Sequence, residues 1–195
     1  MFNDKYSLTQ AVLDGRKTMT RRISKEQIRN SVFWKSGYES IHGYEIKPIY
    51  KISELVAIAQ CYESLGMNPE IALNDRDGIG FYTKTKFAPG WKNKMFVRAD
   101  LMLHHIRITN IKIERLQDIS DEDCLREGVE LNTRQYEYDG TKKYCVCGLG
   151  HWRAIGCTDF DTPREAFAAL IDKVSGKGTW ESNPYVFVYE FELID

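Results

Sequence analysis

The sequence of 195 residues has no long apolar run and no large excess of charge of either sign. Its longest unbroken aliphatic run is residues 55–59, far below the ~20 apolar residues that a membrane-spanning helix requires. Residues 1–7 lack the apolar stretch of a signal peptide. The five cysteines are an odd number, which argues against a disulfide framework. We therefore expect a cytoplasmic protein with reduced thiols and no membrane partner.

Proline is scarce, with five residues, and 14 of the 195 residues are glycine. Together with 43% hydrophobic and 28% charged residues, this composition disfavours disordered, collagen-like and coiled-coil chains. The length predicts a single domain over residues 1–195. The formal net charge is −1, so the chain as a whole lacks the basic character typical of proteins that bind nucleic-acid phosphates. The charge is unevenly placed, because residues 16–25 contain five cations and no acid.

Hydrophobic periodicity and capping signals predict helices over residues 7–14, 120–128 and 162–176. In the first of these, Ser7 and Gln10 have the spacing of a capping box. Strands are expected over residues 55–62, over 106–113 with a bulge near Thr109 and Asn110, and over 185–193. A hairpin is expected over residues 136–144 around Asp139-Gly140, a short helix before Trp34, and a long surface excursion over residues 68–90. Strands with irregular connections and few short helices favour a mixed sheet or a small barrel.

The segment Gly15-Arg16-Lys17-Thr18-Met19-Thr20-Arg21-Arg22 is the most informative in the chain. It combines a helix-ending glycine with four cations and two hydroxyl groups, which suits a pocket for an anionic or strongly polar ligand. Short runs of charge are more often solvated surface, so composition by itself favours an exposed basic turn.

The pattern Gly15-x-Lys17-x-x-Thr20-x-Arg22 resembles the Gly-x-Lys-x-x-Glu-x-Arg signature of the ASCH domain, with threonine in place of glutamate. The small bacterial N(4)-acetylcytidine amidohydrolases, a branch of the same superfamily, also have this threonine and read Gly-Arg-Lys-Thr-x-Thr-x-Arg, which residues 15–22 match. The resemblance covers residues 1–22, roughly 95–129 and the C-terminal stretch. That stretch, with Asn183-Pro184 followed by aromatic and valine residues, resembles the last strand of ASCH-like proteins common in phage and prophage genomes.

The resemblance implies an α+β fold of PUA-like, ASCH type: a small mixed β-barrel with short flanking helices and insertions near residues 23–94 and 130–160. It also implies catalytic roles for Lys17, Thr20 and Glu127, the last placed by counting from a shared leucine before a short helix. The implied ligand is a nucleoside or RNA, and substrate contacts are expected from Gly15, Arg16, Arg21 and Arg22.

The implied reaction is hydrolysis of N(4)-acetylcytidine or a related acylated nucleoside, without a metal or another cofactor. A lysine that is desolvated beside other cations has a lowered pKa, so Lys17 can take a proton from Thr20 or from water. Glu127 can then protonate the departing nitrogen. Positions 17 and 20 of a regular strand point to opposite faces. The segment is therefore expected to turn or bulge, which Gly15 permits.

Two other classes of function remain open, and no protein partner is evident. A non-catalytic RNA-binding module would place the cations of residues 16–22 on phosphates. A zinc-stabilised interaction protein would use four soft ligands within thirteen residues, namely Cys145, Cys147, His151 and Cys157. Their compressed spacing differs from that of Cys-x-x-Cys knuckles.

Aromatic residues make up 12% of the chain, and they could stack on a base. Trp91 and Trp152 lie in polar stretches and are the candidates for a pocket wall. Trp180 and Phe187 are expected in the core, and His104 and His105 are expected to be structural or surface groups.

Overall fold

The computed structural model describes residues 2–24, 38–66, 89–149 and 158–194. Its helices are α1 (Leu8–Leu13), α2 (Asp121–Arg126), α3 (Thr133–Asp139), α4 (Pro163–Ser175) and α5 (Thr179–Ser182), with 3-10 turns at Asp4–Tyr6, Ala99–Leu101 and Leu116–Asp118. Its strands are β1 (Met19–Ile23), β2 (Tyr38–Glu39), β3 (Glu45–Ile46), β4 (Leu55–Ala57), β5 (His105–Arg115), β6 (Glu130–Leu131), β7 (Tyr144–Cys145) and β8 (Tyr185–Leu193). None of the helices in these ranges is long and apolar enough to cross a membrane.

Four strands form a curled sheet in the order β1-β8-β5-β4, and two further pairs join β2 with β3 and β6 with β7. The structure is therefore α+β, as expected. Every strand pair among the described residues is antiparallel, so the expected mixture of parallel and antiparallel strands is not found there. The β1 strand lies at one edge of the sheet, next to β8.

The expected bulge in β5 is confirmed, because the register with β8 shifts between Ile108 and Asn110. One extra residue reverses the alternation of side chains. As a result, Ile106 and Ile108 before the bulge face the same apolar cluster as Ile111 and Ile113 after it.

The β8 strand is buried on both faces. Phe187, Tyr189 and Phe191 pack in the cluster that contains the β5 isoleucines, whereas Val186 and Val188 pack in a second cluster with α2 and α4. This is the arrangement expected of a strand whose two faces are both covered.

The two helices behind the sheet begin at the caps that the sequence predicts. The Ser120 side chain accepts a hydrogen bond from Asp123 N at the start of α2. Thr162 and Glu165 form a capping box at the start of α4, which buries Phe167, Leu170 and Ile171 in its core face. These caps satisfy backbone donors that the first turn of a helix leaves unpaired, and they fix where α2 and α4 begin.

Several expectations about local structure are wrong. Residues 133–139 form α3 rather than half of a hairpin, and Gly140, at φ 74°, donates its N–H to Tyr136 O and ends the helix. A glycine in the left-handed region ends helices as well as forming turns, so Asp139-Gly140 was ambiguous. The β4 strand covers only residues 55–57 of the expected 55–62. Ser7 precedes α1 without a side-chain cap. The expected helix before Trp34 and most of the expected surface excursion lie outside the described residues.

Candidate functional site

A tight turn between α1 and β1 determines where Lys17 lies. Gly15 adopts φ 71°, and the N–H groups of Arg16 and Lys17 both donate to Ala11 O, at 2.9 and 2.8 Å. The next residue, Thr18, donates its N–H to Arg126 O at the end of α2. Lys17 therefore precedes the strand, so the alternation of side chains along β1 does not apply to it. The segment turns, as the spacing of residues 17 and 20 required.

The Lys17 ammonium lies at the C-terminal end of α2. Its Nζ donates to Met19 O at 2.7 Å, to Glu127 O at 2.7 Å and to Glu127 Oε2 at 2.6 Å. Three acceptors match the three donors of a protonated amine. One of them is a carbonyl just past the end of α2, where cations are favourable. Lys17 is 2% exposed and Glu127 4% exposed.

Glu127 is held between two cations. Its second oxygen, Oε1, accepts a hydrogen bond from Arg21 Nη1 at 3.2 Å. Burial lowers the pKa of Lys17, Glu127 opposes this shift, and the charges of Arg21 and Arg22 lower the pKa of Lys17 further. The buried pair thus joins a lysine displaced toward its neutral form and a carboxylate that accepts hydrogen bonds on both oxygens.

Further ion pairs extend from this centre across the sheet edge. Arg21 donates to Glu114 Oε1 at 2.6 Å and to Asp123 Oδ2 at 3.1 Å. Lys112 contacts Glu114, and Arg126 contacts Asp123 and Glu190. The network therefore contains four cations (Lys17, Arg21, Lys112, Arg126) and four acids (Glu114, Asp123, Glu127, Glu190). Its formal charge is balanced.

A cavity of about 140 Å³ opens beside the Lys17–Glu127 pair. Its polar lining includes Lys17, Thr20, Arg21, Arg22 and Glu127, and its apolar lining includes Phe2, Leu8, Phe167, Leu170 and Ile171. Among the described residues, none is hydrogen bonded to the Thr20 hydroxyl, and Thr20 is 8% exposed. An amine, a carboxylate and a hydroxyl group therefore share one largely apolar cavity.

Of the four residues expected to contact the substrate, two line the cavity and two do not. Arg21 and Arg22 line the cavity, but Gly15 and Arg16 do not. Arg16 is exposed and forms ion pairs with Asp14 and Glu130, because the turn after α1 directs it away from Lys17.

Sequence reasoning missed the acids that hold Arg21 and the apolar wall of the cavity. Asp123 stands three residues before Arg126 on a helix, a spacing that suits an ion pair. Glu114 alternates with the isoleucines of β5, which marks it as facing away from their cluster. Phe2 had no signal in the sequence.

The expectations about aromatic and metal-binding residues have separate outcomes. Trp91 is buried with Tyr62 and Met102 rather than in a pocket wall, whereas Phe187 and Trp180 pack in or against the core as expected. Trp152, His151 and Cys157 lie outside the described residues. Within the described ranges, no group of three or more His, Cys, Asp or Glu residues is placed to hold a metal ion.

Comparison of the chain with known proteins was negative: no protein-family model, no curated protein and no solved structure matched it. The functional assignment therefore depends on the geometry around Lys17, Thr20 and Glu127.

Proposed function

We propose that this protein is a metal-independent amidohydrolase of ASCH type, with a PUA-like fold, that acts on N(4)-acetylcytidine or a related acylated nucleoside. The observation that carries the proposal is the buried contact of 2.6 Å between Lys17 Nζ and Glu127 Oε2, in the cavity that Thr20 also lines. Hydrolysis of an amide needs a nucleophile, a base to activate it and an acid for the departing nitrogen. The three side chains supply these groups without a cofactor.

The acid and the base arise together if one proton moves along the short hydrogen bond. Transfer from Lys17 Nζ to Glu127 Oε2 converts the ion pair into an amine and a carboxylic acid, with no displacement of the heavy atoms. Burial favours the neutral pair, and the lowered pKa of Lys17 reflects this. Arg21 donates to Glu127 Oε1 and so favours the carboxylate, whereas its charge disfavours the Lys17 ammonium, so the two forms are held in competition.

In the first half of the reaction, the Lys17 amine takes the proton of the attacking hydroxyl group, and the hydroxyl oxygen bonds to the acyl carbon. The carbon–nitrogen bond then breaks while Glu127 gives its proton to the departing nitrogen of cytidine. These two transfers restore the ammonium and the carboxylate, the charged form of the pair. If the attacking oxygen is that of Thr20, the product is an acyl ester.

Hydrolysis of this ester reverses the roles. The Glu127 carboxylate takes a proton from water, and the Lys17 ammonium returns one to the Thr20 oxygen. If water attacks the amide directly, the first half alone completes the reaction. Rapid quenching followed by mass spectrometry distinguishes the two routes, because only the first one adds the mass of an acyl group to the peptide that contains Thr20.

The RNA-binding alternative is less well supported by the charges. Lys17 and Arg21 are buried and already bound to acids, and Arg16 is bound to two acids. Phosphate contacts by these cations would require breaking ion pairs. Affinity for an RNA oligonucleotide that falls steeply with salt would favour this alternative.

The test is to incubate the purified protein with N(4)-acetylcytidine and to follow the release of cytidine and acetate by chromatography. We expect turnover by the wild type and a loss of at least 100-fold in Lys17→Ala and in Thr20→Val, since general acid–base catalysis typically contributes about 10²–10⁴-fold. Thr133→Val, at an exposed position at the start of α3, is the matched control. Absence of turnover by the wild type, or equal turnover in Lys17→Ala, would contradict the catalytic proposal.

A further inference from the structure

A second cavity, of about 180 Å³, adjoins the first one. Eight aliphatic or aromatic residues line this cavity and not the first one: Tyr50, Val56, Ala57, Ile58, Ala59, Ile106, Ile108 and Tyr189. The Tyr50 and Tyr189 rings meet edge to face, 5.3 Å apart. Three residues line both cavities, namely Phe2, Thr20 and Arg22.

The geometry of the sheet explains why the two cavities share these strand residues. Thr20 and Arg22 are two apart in β1, so their side chains leave the same face. Thr20 is paired with Tyr189 in the register of β1 and β8, and Tyr189 lines the second cavity. The candidate nucleophile therefore lies between a cavity that contains the buried Lys17–Glu127 pair and a cavity lined by Tyr189 and aliphatic side chains.

Phe2 forms the partition on the other side. Its ring centroid is 5.9 Å from Lys17 Nζ and 5.6 Å from that of Phe191. The chain just after it is anchored, because Asp4 Oδ1 accepts hydrogen bonds from Lys94 Nζ at 2.6 Å and from the Thr9 hydroxyl at 2.5 Å. These contacts fix the segment that carries Phe2.

The size and lining of the second cavity indicate the chemical class of its ligand. An apolar cavity of ~150 Å³ lined by aliphatic and aromatic side chains holds one benzene molecule, and this cavity is slightly larger. Tyr189 Oη already accepts a hydrogen bond from Ile49 N. The polar residues of this lining, Thr20 and Arg22, also line the first cavity, so a hydrocarbon group of ring size fits the rest of the wall better than a polar one.

We propose that the second cavity is an acyl-group subsite, which takes a phenyl-sized hydrocarbon part of the substrate's acyl group, and that Phe2 is the partition that determines the size accepted. The inference rests on the proposed function. The acyl carbon would lie at Thr20, with the departing nitrogen toward Lys17 and Glu127. Substrates then include nucleosides with acyl groups larger than acetyl.

A binding experiment tests the subsite independently of hydrolysis. Fluorobenzene is titrated into the protein and followed by fluorine NMR. We expect saturable binding to the wild type and at least tenfold weaker binding to Ala59→Leu, which fills the cavity. Ala99→Leu makes the same change at an exposed position that lines neither cavity and is expected to bind as the wild type does. Val56→Phe is a second filling variant if Ala59→Leu does not fold. No binding by the wild type, or equal binding by the filled variants, overturns the subsite.

A kinetic experiment tests whether the second cavity binds the acyl group of the substrate during the reaction. The ratio of kcat/KM for N(4)-benzoylcytidine to that for N(4)-acetylcytidine is expected to fall at least tenfold in Ala59→Leu and to rise at least threefold in Phe2→Ala. The controls Ala99→Leu and Phe96→Ala, the latter at an exposed phenylalanine, are expected to leave it unchanged. Equal changes for both substrates overturn the assignment of the acyl group to this cavity. If the wild type hydrolyses neither amide, the proposed function fails, and fluorobenzene binding still decides whether the subsite exists.

Discussion

Replacing Glu127 with glutamine tests the electrostatics of the site most directly. The carboxylate accepts hydrogen bonds from Lys17 on one oxygen and from Arg21 on the other. A glutamine side chain has one acceptor oxygen, so its NH₂ group would face one of these two cations. Arg21 keeps Glu114 and Asp123, whereas the Lys17 ammonium keeps only backbone carbonyls. Breaking a buried ion pair in this way costs about 3–5 kcal/mol.

The loss of stability has a characteristic dependence on pH. Burial already lowers the pKa of Lys17 in the folded protein from 10.5, and Glu127 is the main group that opposes this shift. In the variant the folded protein therefore binds the lysine proton more weakly than the unfolded chain does. Stability rises with pH wherever the unfolded state binds more protons. The loss of unfolding free energy in the variant should be fully present below the pKa that Lys17 has in the folded variant, and it should shrink as the pH rises from there toward 10.5.

Urea unfolding of the wild type and of Glu127→Gln at pH 7 and pH 10 measures both effects. A loss of this size lowers the Tm by ~6–20 °C for a chain of this length. Glu122→Gln, at an exposed position in the first turn of the same helix, is the matched control. The double variant Lys17→Met with Glu127→Gln should regain part of the lost stability, since it removes the unpaired charge. A single variant within 0.5 kcal/mol of the wild type at pH 7 would refute the reasoning.

Three further predictions concern the same part of the fold. Gly128→Ala should destabilise the fold more than Gly15→Ala. Both glycines have positive φ, but only at Gly128 would an added Cβ meet the Leu8 side chain, at 3.0 Å. Urea unfolding of the two variants therefore separates the cost of backbone strain from the cost of crowding. Iodoacetamide at pH 8 should modify the exposed Cys147 in the native protein and should modify Cys124 only after unfolding, because burial raises the Cys124 pKa to about 12. Peptide mapping that shows both cysteines modified at equal rates contradicts this prediction. Ser120→Ala should cost about 1 kcal/mol by removing the cap of α2, with Ser182→Ala as the comparison.

The elements that the sequence predicted correctly are those in which one short pattern determines one structure. The change of phase between Ile108 and Ile111 has a single simple solution, a bulge, because only an extra residue keeps all four isoleucines on one face. The α4 helix combines a capping box with a regular apolar face. The hairpin prediction around Asp139-Gly140 was wrong because Asp-Gly is compatible both with a hairpin turn and with the end of a helix. Only contacts with the rest of the fold choose between them.

At the site, the sequence indicated three side chains that line one cavity but not the groups that hold them. Lys17, Thr20 and Glu127 line one cavity, and the first two lie close in sequence. Arg21 and Arg22 have similar neighbours in sequence and differ in environment. Arg21 is buried among three acids from β5, α2 and the end of α2, whereas Arg22 lines both cavities. The alternation of side chains along β1 separates them, and no local pattern shows which face meets the acids.

The balance of charge in this network bears on what the cavity can bind. A site for phosphates needs cations whose charge is not already neutralised, since affinity comes largely from release of counterions. Here Arg21 meets Glu114, Asp123 and Glu127, and the buried cations serve to hold a carboxylate next to an amine. Within an apolar wall, such a pair favours a neutral ligand, whose entry does not require a further charge to be desolvated. An uncharged acylated nucleoside meets this condition, and a stretch of RNA backbone does not.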